Sequence, residues 1–176
     1  DAVRSGWLEN EGFVLVSEAV TLERTVQGGR APHQSCRRAR PSDEDDVAAI
    51  ARGSFVFDRF HRDPKIGAET SNRIKEFWAR NFFNGKRGNE MLVAEDRGGN
   101  VSGFLQIVRS GVMTHIIDLI AIHAAARGKG LGLGLIRTME ASIPAGEMIR
   151  VSTQLDNLES RAMYEKAGFE VFATNR

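Results

Sequence analysis

The stretch that decides the fold covers residues 114–142 and reads THIIDLIAIHAAARGKGLGLGLIRTMEAS. It opens on a β-branched apolar run at residues 116–122, the pattern of a strand. A short bend leads into Arg127-Gly128-Lys129-Gly130-Leu131-Gly132. Leu131, Leu135, Met139 and Ile143 then recur every four residues with Ile136 beside them, which predicts an amphipathic helix. Glycines let the backbone come close to a ligand, and a helix start presents unpaired N–H groups and a positive dipole end. Such a place suits a diphosphate, and Arg127 and Lys129 add positive charge.

Two familiar phosphate loops do not fit. A Walker loop needs Gly-Lys-Ser/Thr after its last glycine, and Gly130-Leu131-Gly132 offers none. A dinucleotide fingerprint needs Gly-x-Gly-x-x-Gly in an early βαβ unit, whereas Gly128, Gly130, Gly132 and Gly134 fall at every second position. The pattern Arg/Gln-x-x-Gly-x-Gly/Ala is met by Arg127, Gly130 and Gly132. The plainer alternative is a helix that begins with small residues for packing.

A second stretch, residues 157–169, reads NLESRAMYEKAGF and follows a strand-like run at residues 149–155. Asn157 and Tyr164 share a helix face two turns apart, Gly168 ends that helix, and Phe169 opens a new strand. Together, in this order, the two stretches resemble the GCN5-related N-acetyltransferase (GNAT) superfamily, with its acetyl-CoA loop and its Asn…Tyr…Gly-Phe signature. The resemblance implies an α/β (α+β) fold: a mixed, mostly antiparallel sheet with helices on both faces and splayed central strands. It also implies acetyl-CoA as co-substrate. Ile120, Ala121 and Ile122 would pair with the pantetheine, Arg127, Gly128, Lys129, Gly130, Leu131 and Gly132 would take the diphosphate, and Asn157 would touch the pantetheine. Tyr164, the single tyrosine of the chain, falls on the position of the family's usual general acid.

The general base is left open by the residues. Asp118 is the one acid inside an apolar strand, where it is expected to share a face with Ile116, Ile120 and Ile122. His115, His61 and a water chain to solvent are its rivals.

The rest of the chain bounds this reading. The length of 176 residues suits one domain, or one domain plus a fragment. A net charge of +1 gives no global field toward nucleic acid or membrane. The basic run at Arg37, Arg38 and Arg40 has no interleaved aromatics, so no nucleic-acid partner is expected, and no membrane span is expected because no apolar run approaches the length of one. Residues 1–4 do not read as a signal peptide, and the single Cys36 has no partner for an internal disulfide, which fits a cytoplasmic location. The four histidines are scattered, and no metal site is expected. A homodimer fits the resemblance.

Residues 8–16 (LENEGFVLV) echo residues 164–172 (YEKAGFEVF), as helix end, glycine turn and strand, with a further strand signal at residues 18–22. We therefore expect residues 1–26 to be a remnant of an N-terminal extension or half-domain, 27–35 a linker, and 36–176 the acetyltransferase domain. On this reading the chain starts in mid-element, so residues are expected upstream of residue 1 and a few beyond residue 176. Residues 54–67 (SFVFDRFHRDPKIG) form a loop rich in aromatic and cationic side chains, followed by a helix to about residue 84. In the superfamily this region lies over the acceptor. The extension and the run Asp58-Arg59-Phe60-His61 resemble the TDP-fucosamine acetyltransferase group, which acetylates the 4-amino group of a nucleotide-linked deoxysugar. Arg59 and His61 would then bind a small-molecule amine. Other acceptors stay open (another small amine or a protein N-terminus), as does a non-catalytic CoA-binding module.

Overall fold

The structure is a computed structural model, and it describes Trp7 and residues 10–175. Seven strands form one sheet: β1 Ala19–Thr25, β2 Cys36–Arg38, β3 Glu90–Glu95, β4 Val101–Arg109, β5 Thr114–Ile122, β6 Met148–Gln154 and β7 Glu170–Asn175. Their order across the sheet is β2-β3-β4-β5-β6-β1-β7. The helices are α1 Glu44–Ser54, α2 Arg59–Arg62, α3 Ala68–Phe83, α4 Leu131–Ala141 and α5 Leu158–Lys166. All neighbouring strands are antiparallel except β5 and β6, so the expected mixed sheet is present.

Alternation along the strands decides what covers each face. On β3, Leu92 and Ala94 pack into one apolar cluster with Leu135, Ile136 and Met139 of α4. Met91 and Val93 pack the other way, with Val47 and Ile50 of α1 and Ala79 of α3. Tyr164 and Ala167 put the end of α5 on the α4 side. No helix among the described residues is long and apolar enough to cross a membrane.

Strand β5 is irregular in two places. Gln106 pairs with Leu119 but Ile107 pairs with Ile117, so Asp118 is an extra residue in β5, a bulge. The bulge shifts the alternation by one. Ile117 packs on the α4 side, whereas Leu119 and Ala121 pack on the α1–α3 side. This corrects the expected face of Asp118: Ile120 and Ile122 lean on the α4 cluster, while Asp118 turns to Gln106 and Arg87. The second irregularity is that β5 and β6 pair only from Thr114–Met148 to Ile117–Val151. From Asp118 onward the two strands part.

Strand β1 lies between β6 and β7 and is antiparallel to both. Val20 and Leu22 are buried in the α4 cluster, so the sheet takes in residues that the expected boundaries set apart from the domain. The strand expected at residues 13–16 is not formed. Those residues pair with no strand among the described ones, and Phe13, Val14 and Leu15 are exposed. The helix end expected just before them lies partly outside the described residues. Its glycine turn is seen: Gly12 and Gly168 share a φ of 84°.

Candidate active site

Where β5 and β6 part, a groove of about 480 Å³ opens. Ile120, Ala121 and Ile122 of β5 form one wall, and Arg127, Gly128 and residues 130–133 form the next. Asn157, Ser160 and Met163 of α5 face them, and Ser54, Val56 and Phe57 close the outer side. A strand that has lost its neighbour presents unpaired backbone groups along that edge. An extended, amide-bearing chain is the natural ligand for such an edge.

The glycine turn supplies the second element of the groove. Gly130 caps α4 with φ 80°, a left-handed conformation that side chains resist. The N–H groups of residues 128–133 make no hydrogen bond among the described residues, while that of Gly134 returns to Gly130 at 2.9 Å. Successive free N–H groups at a helix start form an anion cradle, so these residues fit the diphosphate of CoA. Gly132 serves a different purpose. A Cβ there would meet Met163 Sδ at 2.6 Å, so its smallness lets α4 pack on α5. Arg127 donates to the Ile122 carbonyl at 3.3 Å and lies on the groove wall. Lys129 donates to the Ala125 carbonyl at 3.0 Å and lies instead in a separate hollow with Asp46, Asp96 and His123.

Helix α5 begins at Asn157, whose Oδ1 accepts from Ser160 N at 3.3 Å and whose Nδ2 donates to Thr153 at 3.1 Å. The capping role therefore fixes Asn157 beside the groove. Tyr164 is buried, with its ring 5.7 Å from Phe169. Its hydroxyl has no hydrogen-bond partner among the described residues. Burial pushes the phenol well above its usual range, so it stays protonated.

The remaining candidates lie on the α1–α3 side. Asp118 is gripped on both oxygens: Arg87 donates twice at 2.7 Å, and Gln106 donates at 2.9 Å. Most of its lone-pair positions are taken. His61 is held at both ring nitrogens, 2.7 Å from Asp58 and 2.9 Å from Asn72. Arg59 is exposed, rests 5.0 Å from the Phe60 ring and makes no ion pair among the described residues. His115 is bound to Glu147 at 2.6 Å.

Comparison with known proteins identifies the architecture. Residues 87–171 match the family model described as an acetyltransferase (GNAT) domain. That match takes in a little under half of the chain. Its fold is similar to that of a GCN5-related N-acetyltransferase from Sphaerobacter thermophilus, with a TM-score of 0.63 at 13% identity, over 99% of this chain and 54% of that one. It is also similar to a GNAT-family acetyltransferase from Colwellia psychrerythraea, with a TM-score of 0.64 at 12% identity, over 90% of this chain and 54% of that one. The spore coat polysaccharide biosynthesis protein SpsD of Bacillus subtilis is 28% identical over 131 residues. That match covers 73% of this chain and 44% of the curated relative, so the chain spans less than half of that protein.

The matched family model and both structural neighbours are acetyltransferases, and enzymes of this fold use acetyl-CoA as co-substrate. Sequence reasoning missed the parts of the site that come from afar. Arg87, Gln106, Lys75 and Trp78 converge around Asp118 and Asp58, and none belongs to a motif. The available signal was a lone lysine in the middle of the aromatic helix α3.

Proposed function

We propose that this GNAT domain transfers the acetyl group of acetyl-CoA to the primary amine of a nucleotide-linked aminodeoxysugar. The observation that carries the transfer reading is the groove between parted strands, ending in six consecutive free N–H groups. When bound, acetyl-CoA supplies an activated acetyl thioester. The open edge of β5 at Ile120, Ala121 and Ile122 would hold the pantetheine, and a backbone N–H there would polarise the thioester carbonyl. The cradle at residues 128–132 would hold the diphosphate, with Arg127 beside it and Lys129 adding charge from the neighbouring hollow. Asn157, fixed by its cap, would contact the pantetheine amide.

Tyr164 is the proposed proton donor to the departing thiolate, because it is protonated and its hydroxyl is unclaimed. Asp118 is proposed to act by fixing Arg87 and the bulge at the point where β5 leaves β6, since its oxygens are already occupied. His61 and His115 are likewise engaged, so water in the open groove is the proposed proton acceptor for the ammonium. For the acceptor, the name of the Bacillus subtilis relative supports a sugar. Arg59, which makes no ion pair among the described residues, carries a positive charge suited to a nucleotide diphosphate, while His61 shapes the loop that presents it.

The test is thiol release from acetyl-CoA with a panel of amines. Turnover with dTDP-4-amino-4,6-dideoxygalactose, and an Arg59→Ala variant with a raised sugar KM and an unchanged acetyl-CoA KM, is the expected result. Activity on peptides or polyamines with none on aminosugar nucleotides would refute the acceptor assignment.

A further inference from the structure

Lys75 lies in the middle of α3 and is 5% exposed. A lysine is rarely buried so deeply unless its ammonium is compensated. Here the ammonium lies 4.6 Å from the Trp78 ring centre, 5.0 Å from that of Phe55 and 5.5 Å from that of Phe60. Asp58 Oδ2 stands 3.7 Å away. Three rings and a carboxylate make a box that suits one cation.

The box joins the α1–α2 connection and helix α2 to α3, beside the Arg62–Asp156 ion pair and the packing of Phe55 on the α1–α3 cluster. Helix α2 has four residues, too few to stand without outside support. Asp58 caps it by accepting from Phe60 N at 2.9 Å, and the same carboxylate holds His61, whose other nitrogen reaches Asn72 of α3. The ring of Trp78 also takes the Arg87 guanidinium at 4.1 Å, and Arg87 holds Asp118 in the bulge. A continuous chain of contacts thus runs from the bulge where β5 leaves β6, through Arg87, Trp78, Lys75 and Asp58, to the loop whose Val56 and Phe57 face the groove.

We propose that Lys75 is a positioning residue for the acceptor: with Asp58 it pins the α1–α3 connection against α3 and so sets the outer wall of the groove. An apolar side chain could fill the same space. The ammonium adds direction, because it is held where Asp58 and the three rings meet. Burial lowers the Lys75 pKa below the usual lysine range, while Asp58 and Asp118 oppose that shift and Arg59 and Arg87 reinforce it. The effect on the acceptor rests on the transfer reading above. The effect on the loop does not.

Lys75→Met keeps an unbranched chain one atom shorter and loses the charge, and Asp58→Asn loses the charge on the other side. Each variant should raise the KM for dTDP-4-amino-4,6-dideoxygalactose about tenfold. Acetyl-CoA affinity by calorimetry should stay within about threefold, because most of the groove lining comes from β5, the glycine turn and α5 rather than from this outer wall. The double variant should be no worse than either single, as for two residues acting as one unit. Amide hydrogen exchange at residues 55–62 should speed up in each. Unchanged KM and unchanged exchange would overturn the proposal, as would an acetyl-CoA affinity that falls in step with the acceptor KM. If the wild-type protein turns over no amine at all, the transfer reading fails on its own. Faster exchange in the variants would still support the pin, and unchanged exchange would overturn it.

Discussion

Position 164 shows how one side chain can belong to a core and to a reaction. The Tyr164 ring is part of the α4 cluster, and its hydroxyl has no partner among the described residues. Phe at 164 would keep the packing and remove the proton donor. We expect kcat to fall by roughly 10²–10⁴, with acetyl-CoA affinity nearly unchanged. Retained kcat in steady-state assays would make Tyr164 purely structural. The same burial has a consequence for stability. The folded pKa lies above the ordinary value of about 10, so the unfolded chain gives up the proton first. The stabilisation is whole below about pH 10 and is lost as pH rises through the folded value. Melting scans should therefore show an alkaline loss of stability in the wild type that shrinks in Tyr164→Phe.

Among the elements, the glycine turn separates two uses of one residue type. Gly130 has open space where a Cβ would go, but its φ of 80° is costly for any other residue. Gly130→Ala should strain the turn by about 1–2 kcal/mol and turn the cradle N–H groups away. CoA affinity by calorimetry should drop at least about tenfold. Gly132→Ala, by contrast, meets the flexible end of Met163 and should act on stability, lowering it by about 1 kcal/mol or less as that side chain turns aside. An unchanged CoA affinity in folded Gly130→Ala would remove the diphosphate from this turn. The turn and its flanking elements were legible in the sequence because their signals are local: period two in β5, period four in α4, a glycine at the end of α5. The bulge at Asp118 was not, because it is defined by register against Gln106 and Ile107. The same holds for His61 and Lys75. Their residue types could be read, but their partners on α3 and in the loop come together only after folding.

For the molecule as a whole, the decisive arrangement is the sheet order, with β1 inserted between β6 and β7. The resemblance implied a mixed sheet with helices on both faces, yet nothing in residues 19–25 names a partner near the other end of the described chain. Leu22 is fully buried there and pairs with Val151 and Val171. Leu22→Ala should cost about 2–5 kcal/mol, measured by chemical denaturation. A cost below about 1 kcal/mol would mean that β1 is dispensable to the sheet.

The placement of β1 also has a bearing on how the protein is made. Thr21 bonds Ser152 across 131 residues of chain. At about 5–20 residues per second, the ribosome delivers that partner on the order of 10 s after β1 has emerged. During that interval Val20 and Leu22 lack the neighbours that bury them in the finished sheet. The newborn chain therefore waits with an apolar strand on offer, a natural target for a chaperone that grips short extended segments.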